Sequence, residues 1–269
     1  MSGTTDTMFK KIIEDNSNLK HKNGDFGLGM NPEFLREGNA LYDCMNPDRI
    51  VIGYEDVRTK KLLTKLYQPF NCKKIYTNTR TAEMSKYVNN TLLALQISAI
   101  NELSKISKNL SNVNFSKIIE IFNTDHRWSN CEKNNAPSIL DYLLTGPGFG
   151  GSCFPKDLLA LSSQSLELNV NSHILNAIMK TNDKQPEYCI DLLLNNVPKS
   201  KSPKKILFLG VTFKPDTDDL RDSTSIKMIN YAIDIGCSVK FHDPFLCNNS
   251  CVCESRRLIS RRSFVCWLL

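Results

Sequence analysis

No stretch of this 269-residue chain approaches the roughly 20 consecutive apolar residues that a membrane helix needs, so no membrane span is expected. The opening residues, Met1-Ser-Gly-Thr-Thr-Asp6, lack the basic region and apolar block of a secretory signal. Ten cysteines lie scattered between Cys44 and Cys266 without the spacing of a disulfide framework. These absences point to a reduced, cytoplasmic chain. Paired C-x-x-C spacing is missing too: Cys247, Cys251 and Cys253 come nearest to a zinc module, and no metal is expected there. The net charge of +6 is mild and sits in short clusters, Lys10-Lys11, Lys60-Lys61, Lys199 to Lys205 and Arg256 to Arg262. None interleaves with aromatic residues as in single-strand binders, so no nucleic-acid partner is expected. Solvated surface explains the clusters, and a basic pocket for an anionic ligand stays compatible with them. The four histidines, His21, His126, His173 and His242, form no recognisable pair with a cysteine, which weighs against a cysteine hydrolase or protease.

What the chain does have is concentrated in one string, Gly146-Pro-Gly-Phe-Gly-Gly-Ser-Cys-Phe-Pro-Lys-Asp157. Its glycines allow a tight turn and leave room for a ligand against the main chain. Pro155 suits the first residue of a helix, and Leu158, Leu159, Leu161 and Leu166 have the spacing of a helix that continues from it. A thiol at such a terminus meets the positive end of the helix dipole, and Lys156 adds a cation; both favour the thiolate of Cys153. The string therefore reads as a cysteine nucleophile presented to a bound ligand. Two plainer readings stand beside it. Gly146, Gly148 and Gly151 satisfy G-x-G-x-x-G, although a dinucleotide site needs a preceding strand and a βαβ unit. The cysteine is otherwise an incidental buried one on a flexible loop.

Elsewhere the pattern alternates strands and helices. A helix is expected from Thr5 to about Ser17, strands at Phe26 to Met30, Arg49 to Gly53 and Lys74 to Tyr76, and a helix from Val57 to Tyr67. From Thr81, Met84, Val88, Leu92, Leu95, Ala99, Leu103 and Ile106 recur at helical steps and mark one long amphipathic helix, a spine or a dimer contact. Helical patterning continues at Phe115 to Phe122, Lys156 to Leu168 and Ser172 to Asn195. After a polar linker from Val197 to Lys205, a strand (Ile206 to Gly210), a helix (Ser225 to Ile235) and a strand (Ser238 to His242) form one βαβ unit. The fold class is α/β: a partial Rossmann-like region over residues 1–79, a central helical dimerisation domain over 80–196 that carries Cys153, a partial C-terminal Rossmann-like domain over 203–245, and an irregular tail over 246–269.

Four strings stand in order: Asn31-Pro-Glu-Phe-Leu-Arg-Glu37, Glu83-Met-Ser-Lys86 with Asn90, Gly146 to Asp157, and Phe213-Lys-Pro-Asp-Thr-Asp-Asp-Leu-Arg221. Singly each has a bland reading. Glu33 and Glu37 are first-turn acids behind Pro32, Lys86 and Asn90 are one surface face of a helix, and Asp157 is a helix cap. Together, from about residue 3 to residue 245, they resemble the UDP-glucose/GDP-mannose 6-dehydrogenase family. The resemblance implies a twofold oxidation of a primary alcohol with NAD⁺ to a uronic acid, on UDP-glucose, or alternatively on GDP-mannose or a UDP-N-acetyl sugar. It implies Cys153 as nucleophile, Lys86 and Asn90 as oxyanion partners, and Asp157 and Glu33 as carboxylates that handle the water. It places Phe34, Leu35, Arg127, Phe149, Gly150, Phe213 and Lys214 at the UDP-sugar, and Glu37, Lys156 and Arg221 near NAD. Trp128-Ser129 departs from the usual residues after that arginine. It further implies a homodimer or higher homo-oligomer through the long helix. Against the family pattern the chain reads as truncated at both ends, starting near a Gly3-Thr4-Thr5 element. An alternative is therefore an inactive remnant that acts as a dimerisation module.

Overall fold

The computed structural model describes residues 2–125, 142–198, 203–246 and 253–254. Arg127 with Trp128-Ser129, His126, residues 199–202 of the expected linker, and Cys247 and Cys251 lie outside the described residues. The chain divides into two compact units, Met1–Asn90 with Ser163–Val170, and Thr91–Ser162 with Asn171–Leu269.

In the first unit a π-helical turn, Thr4–Phe9, leads into α1 (Lys10–Asn16). Then follow β1 (Gly29–Met30), α2 (Ala40–Met45), β2 (Arg49–Tyr54), α3 (Val57–Leu66) and β3 (Lys73–Thr77). Strands β2 and β3 run parallel, with Val51 opposite Ile75 and Ile52 opposite Tyr76, and α3 is their crossover. β1 pairs antiparallel on the other edge of β2, Gly29 opposite Tyr54. The unbroken apolar run Ile50-Val-Ile52 suits a central strand covered on both faces, and all three residues are buried. Asp56 caps α3, its carboxylate accepting the Thr59 N–H at 2.7 Å and the Thr59 hydroxyl at 2.7 Å.

The long helix is α4 (Thr79–Lys108), followed by α5 (Phe115–Asn123), α6 (Phe154–Glu167) and α7 (His173–Asn195). In the second unit β4 (Lys205–Leu209), α8 (Thr224–Asp234) and β5 (Ser238–His242) make the expected parallel βαβ unit, Phe208 opposite Phe241. Two apolar clusters form its core. One joins Ala94, Phe149, Leu158, Leu175 and Ile178; the other joins Ile190, Phe208, Val211, Ile229, Ala232, Val239 and Phe241. Each large member adds roughly 1.5–3 kcal/mol on leaving water. Among the described residues no helix is long and apolar enough to cross a membrane, and no group of three or more His, Cys, Asp or Glu side chains could hold a metal ion.

Four local expectations need correction. The helix expected from Thr5 begins instead as a π turn, where Gly3 adopts φ 93° and the amides of Gly3 and Thr5 bond sideways to Glu83. No helix follows Pro32: Asn31 to Arg36 is irregular, so Glu33 and Glu37 are not first-turn acids. α6 starts at Phe154, which moves Pro155 to the second helical position, still inside the turn that needs no N–H donor. The tail expected to be irregular contains β6 (Cys253–Glu254), antiparallel to β5 with Cys253 opposite Phe241. Two residues are too short to show a period of two, and the ladder uses only backbone groups, so no side-chain pattern announced it.

Candidate active site

In the first unit, the irregular segment after β1 brings Glu33 and Phe34 to the second turn of α4. Lys86 Nζ lies 3.1 Å from Glu33 Oε2, and the ammonium sits 5.8 Å from the Phe34 ring centroid. The Arg49 guanidinium stacks on the same ring at 4.3 Å. Glu33 also accepts the N–H of Leu35, which turns the segment back on itself and leaves Leu35 exposed. Lys86 has only 18 % of its side chain exposed, and Asn90, one turn further along α4, is 5 % exposed. These are not the values of a plain surface face. The structure therefore brings together Glu33, Phe34 and Lys86, with Asn90 next on the same helix face. Glu37 lies beyond them, half-buried, before α2.

The second unit holds the glycine loop. Asn182 on α7 clamps it, accepting the Phe149 N–H at 2.8 Å and donating to the Phe149 carbonyl at 3.0 Å. Asn101 on α4 accepts the Gly146 N–H at 2.9 Å, and Gln185 donates to the Gly146 carbonyl at 2.7 Å. The Gly151 N–H donates to the Arg221 carbonyl at 3.0 Å. The space beside the glycines belongs to the protein itself. A β-carbon on Gly150 would stand 2.2 Å from the Asp222 carbonyl oxygen, and one on Gly151, at φ +79°, would stand 2.6 Å from the Phe213 ring. The room expected for a ligand at these two glycines is thus filled by residues 213–222. Phe149, expected at the sugar, sends its ring into the core at 6 % exposure and packs edge-on against Phe154. Among the described residues no strand leads into the loop, and α6 and α7 follow it without a βαβ unit, which weighs against the dinucleotide reading of Gly146, Gly148 and Gly151.

Cys153 emerges from this clamped loop at the residue before α6 and is exposed. Its carbonyl accepts the Asp157 N–H at 2.9 Å, the first bond of the helix, and its sulfur lies 3.8 Å from the Ser152 hydroxyl. Asp157, in the first turn, is 2 % exposed, and Lys156 Nζ meets its Oδ1 at 2.6 Å. The cation expected to act on the thiol is therefore engaged by the neighbouring carboxylate. Among the described residues no histidine hydrogen-bonds Cys153. Further along, Arg221 and Asp219 pair at 2.7 Å, and the Phe213 N–H donates to the Asp219 carbonyl at 3.0 Å, folding the Phe213 to Arg221 string, Lys214 included, into a compact loop. Buried Asp243, just after β5, ties down the chain beyond the end of β4, accepting the Val211 N–H at 2.8 Å.

The sequence motifs gave no role to Asn101, Asn182, Gln185, Glu83 or Asp243. The available signal was their position: Asn182 and Gln185 fall at core-facing steps of α7 between Ile178 and Ile190.

Comparison with known proteins covers nearly the whole chain. The UDP-glucose/GDP-mannose dehydrogenase family's NAD binding domain matches residues 1–71, its central domain residues 80–184 and its UDP binding domain residues 207–256. The chain belongs to the UDP-glucose/GDP-mannose dehydrogenase family. A UDP-glucose 6-dehydrogenase of Rickettsia bellii is 38 % identical over 237 residues, which make up 86 % of this chain and 52 % of that protein. The solved UDP-glucose dehydrogenase of Pyrobaculum islandicum is 35 % identical with a TM-score of 0.78, covering 90 % of this chain and 52 % of that one. The UDP-D-ManNAc dehydrogenase of Pyrococcus horikoshii is 26 % identical with a TM-score of 0.75, over 91 % of this chain and 55 % of that one. The chain spans about half the length of the curated relatives it matches. The family fold, Rossmann-like at both ends with helices between, agrees with the α/β class read from the sequence. The third family domain reaches residue 256, past β6.

Proposed function

We propose that this chain carries the catalytic centre of an NAD-dependent nucleotide-sugar 6-dehydrogenase, with UDP-glucose as substrate and UDP-glucuronate as product. The observation that carries the proposal is the setting of Cys153, an exposed thiol at the start of α6, on a loop clamped from α4 and α7, with buried Asp157 in the first turn. Oxidising a primary alcohol to an acid passes through an aldehyde that must not escape. The Cys153 thiolate adds to the aldehyde carbon to give a thiohemiacetal; loss of hydride from that carbon gives a thioester; water then cleaves the thioester and frees the thiol. NAD⁺, when bound, accepts the hydride of each oxidation. Lys86 and Asn90 have the charge and donor groups to stabilise the oxyanion, and Glu33 and Asp157 are the carboxylates to orient or deprotonate the water.

The donor set fits a pyrophosphate: the side chains of Lys156 and Arg221 are each 67 % exposed and cationic. These residues and Glu37 are the ones to hold NAD. Phe34, Leu35, Phe213, Lys214 and Arg127 are the residues to hold the UDP-sugar, while Phe149 and Gly150 pack the glycine loop against the protein. Mixing the purified chain with NAD⁺ and UDP-glucose is expected to form NADH. No NADH from UDP-glucose, GDP-mannose or UDP-N-acetyl sugars sinks the assignment for this chain.

A specific observation also favours self-association. Leu92, Leu103 and Ile106, spaced 11 and 3 residues apart on α4, are each more than half exposed. A homodimer through this stripe is expected by sedimentation, and Leu103→Glu is expected to give a monomer. A wild-type chain that sediments as a monomer contradicts this reading.

A further inference from the structure

On α4, three residues before Lys86, the carboxylate of Glu83 is 5 % exposed. A buried carboxylate has only acceptor sites, and each must be met by a donor. Here three donors converge on it from a segment about 80 residues away in sequence. The Gly3 N–H meets Oε2 at 2.5 Å, the Thr5 N–H meets Oε1 at 2.9 Å, and the Thr5 hydroxyl meets Oε1 at 2.7 Å. Backbone amides at the head of a helical turn are natural anion partners. In this protein a side chain of α4 serves as that anion. Looser ties flank it: Ser2 Oγ donates to the Arg80 carbonyl at 3.0 Å, and Arg80 Nε donates to Asp6 at 2.7 Å with 60 % of the Arg80 side chain exposed. On the other side of the helix start, Glu55 accepts the N–H of Thr79 at 3.0 Å as well as its hydroxyl.

Glu83, Lys86 and Asn90 stand at i, i+3 and i+7, so they share one face of α4. Any rotation of the helix about its axis at Glu83 swings the other two together. With the helix in this rotation Lys86 Nζ lies 3.1 Å from Glu33. We propose that Glu83 is a positioning residue: by binding the Gly3-Thr4-Thr5 turn it sets the rotation of the first turns of α4 and thereby aims Lys86 at Glu33. This rests on the reading of Lys86 as a catalytic group. The bonds themselves concern the first unit alone.

The test uses the whole chain and no substrate. Lysines are acylated with a trace of an amine-reactive ester, and the rate at each lysine is read by peptide mass spectrometry, alongside hydrogen exchange of residues 3–7. Glu83→Gln keeps one acceptor oxygen but turns an NH₂ toward donors; Glu83→Ala removes both acceptors. Because an unmet buried donor costs ~1–3 kcal/mol, the Lys86 rate is expected to rise about threefold in Glu83→Gln and about tenfold in Glu83→Ala, with faster exchange at Thr5 and Thr7. Lys117, outside the unit, is expected to keep its wild-type rate. Arg80→Ala, which cuts only the exposed tie, is expected to leave the Lys86 rate unchanged. An unchanged Lys86 rate in Glu83→Gln overturns the proposal, as does a rise shared equally by Lys117. If Glu83→Ala fails to fold, the Glu83→Gln result alone decides. NADH formation plays no part in the readout, so an inactive chain leaves this inference standing, and a failed labelling result leaves the dehydrogenase reading standing.

Discussion

Cys153→Ser is expected to lower UDP-glucuronate formation on the order of a thousandfold or more, the scale seen when a catalytic nucleophile is removed. The substitution is nearly isosteric, and Cys153 is exposed with its carbonyl, not its sulfur, bonded into α6, so the fold is expected to survive. The hydroxyl of serine is a far poorer nucleophile than a thiolate, and an oxygen ester is less reactive toward water than a thioester. The first oxidation needs no thiol. The variant is therefore expected to form at most one NADH per sugar and to release aldehyde, which a carbonyl reagent would capture. Full two-step turnover in Cys153→Ser would remove the cysteine from the mechanism.

Gly150→Ala is expected to have the largest effect on stability. Its new β-carbon would stand 2.2 Å from the backbone carbonyl of Asp222 and 3.5 Å from Ser223 Cα. A backbone atom cannot rotate away as a side chain would, so the loop or the segment after Arg221 must move. That motion also strains the adjacent Gly151 N–H bond to the Arg221 carbonyl at 3.0 Å. Overpacking of about 1–3 kcal/mol and loss of a buried hydrogen bond of about 1 kcal/mol place the destabilisation at roughly 3 kcal/mol. Denaturant unfolding of wild type and variant measures it directly. A change below about 0.5 kcal/mol, the scale of a neutral surface substitution, would mean that this close approach does not exist in solution.

Much of the fold was legible because it rests on period and composition. The steps from Met84 to Ile106 gave α4, and Ser238 to His242 is a strand with the bounds expected. Lys86 stood out through its string, and the structure places it, little exposed, 3.1 Å from Glu33. The clamps were not legible. Asn182 and Asn101 sit in amphipathic helices, where a polar residue ordinarily counts toward the solvent face, and their partners Phe149 and Gly146 lie 33 and 45 residues away. Glu83 lies in the Glu83-Met-Ser-Lys86 string, yet nothing local to it points to Gly3 and Thr5. The glycines show the same limit. A glycine announces that something comes close to the backbone, and only the structure shows that Phe213 and Asp222 do so at Gly151 and Gly150.

The central claim is that Cys153 captures an aldehyde during a twofold oxidation of a nucleotide sugar. Counting products tests it most directly: the chain is incubated with NAD⁺ and UDP-glucose, and NADH and UDP-glucuronate are quantified in the same sample. Two NADH for each UDP-glucuronate, with no free aldehyde, is the result expected. NADH formed one-for-one with a released aldehyde by the wild-type chain would contradict it.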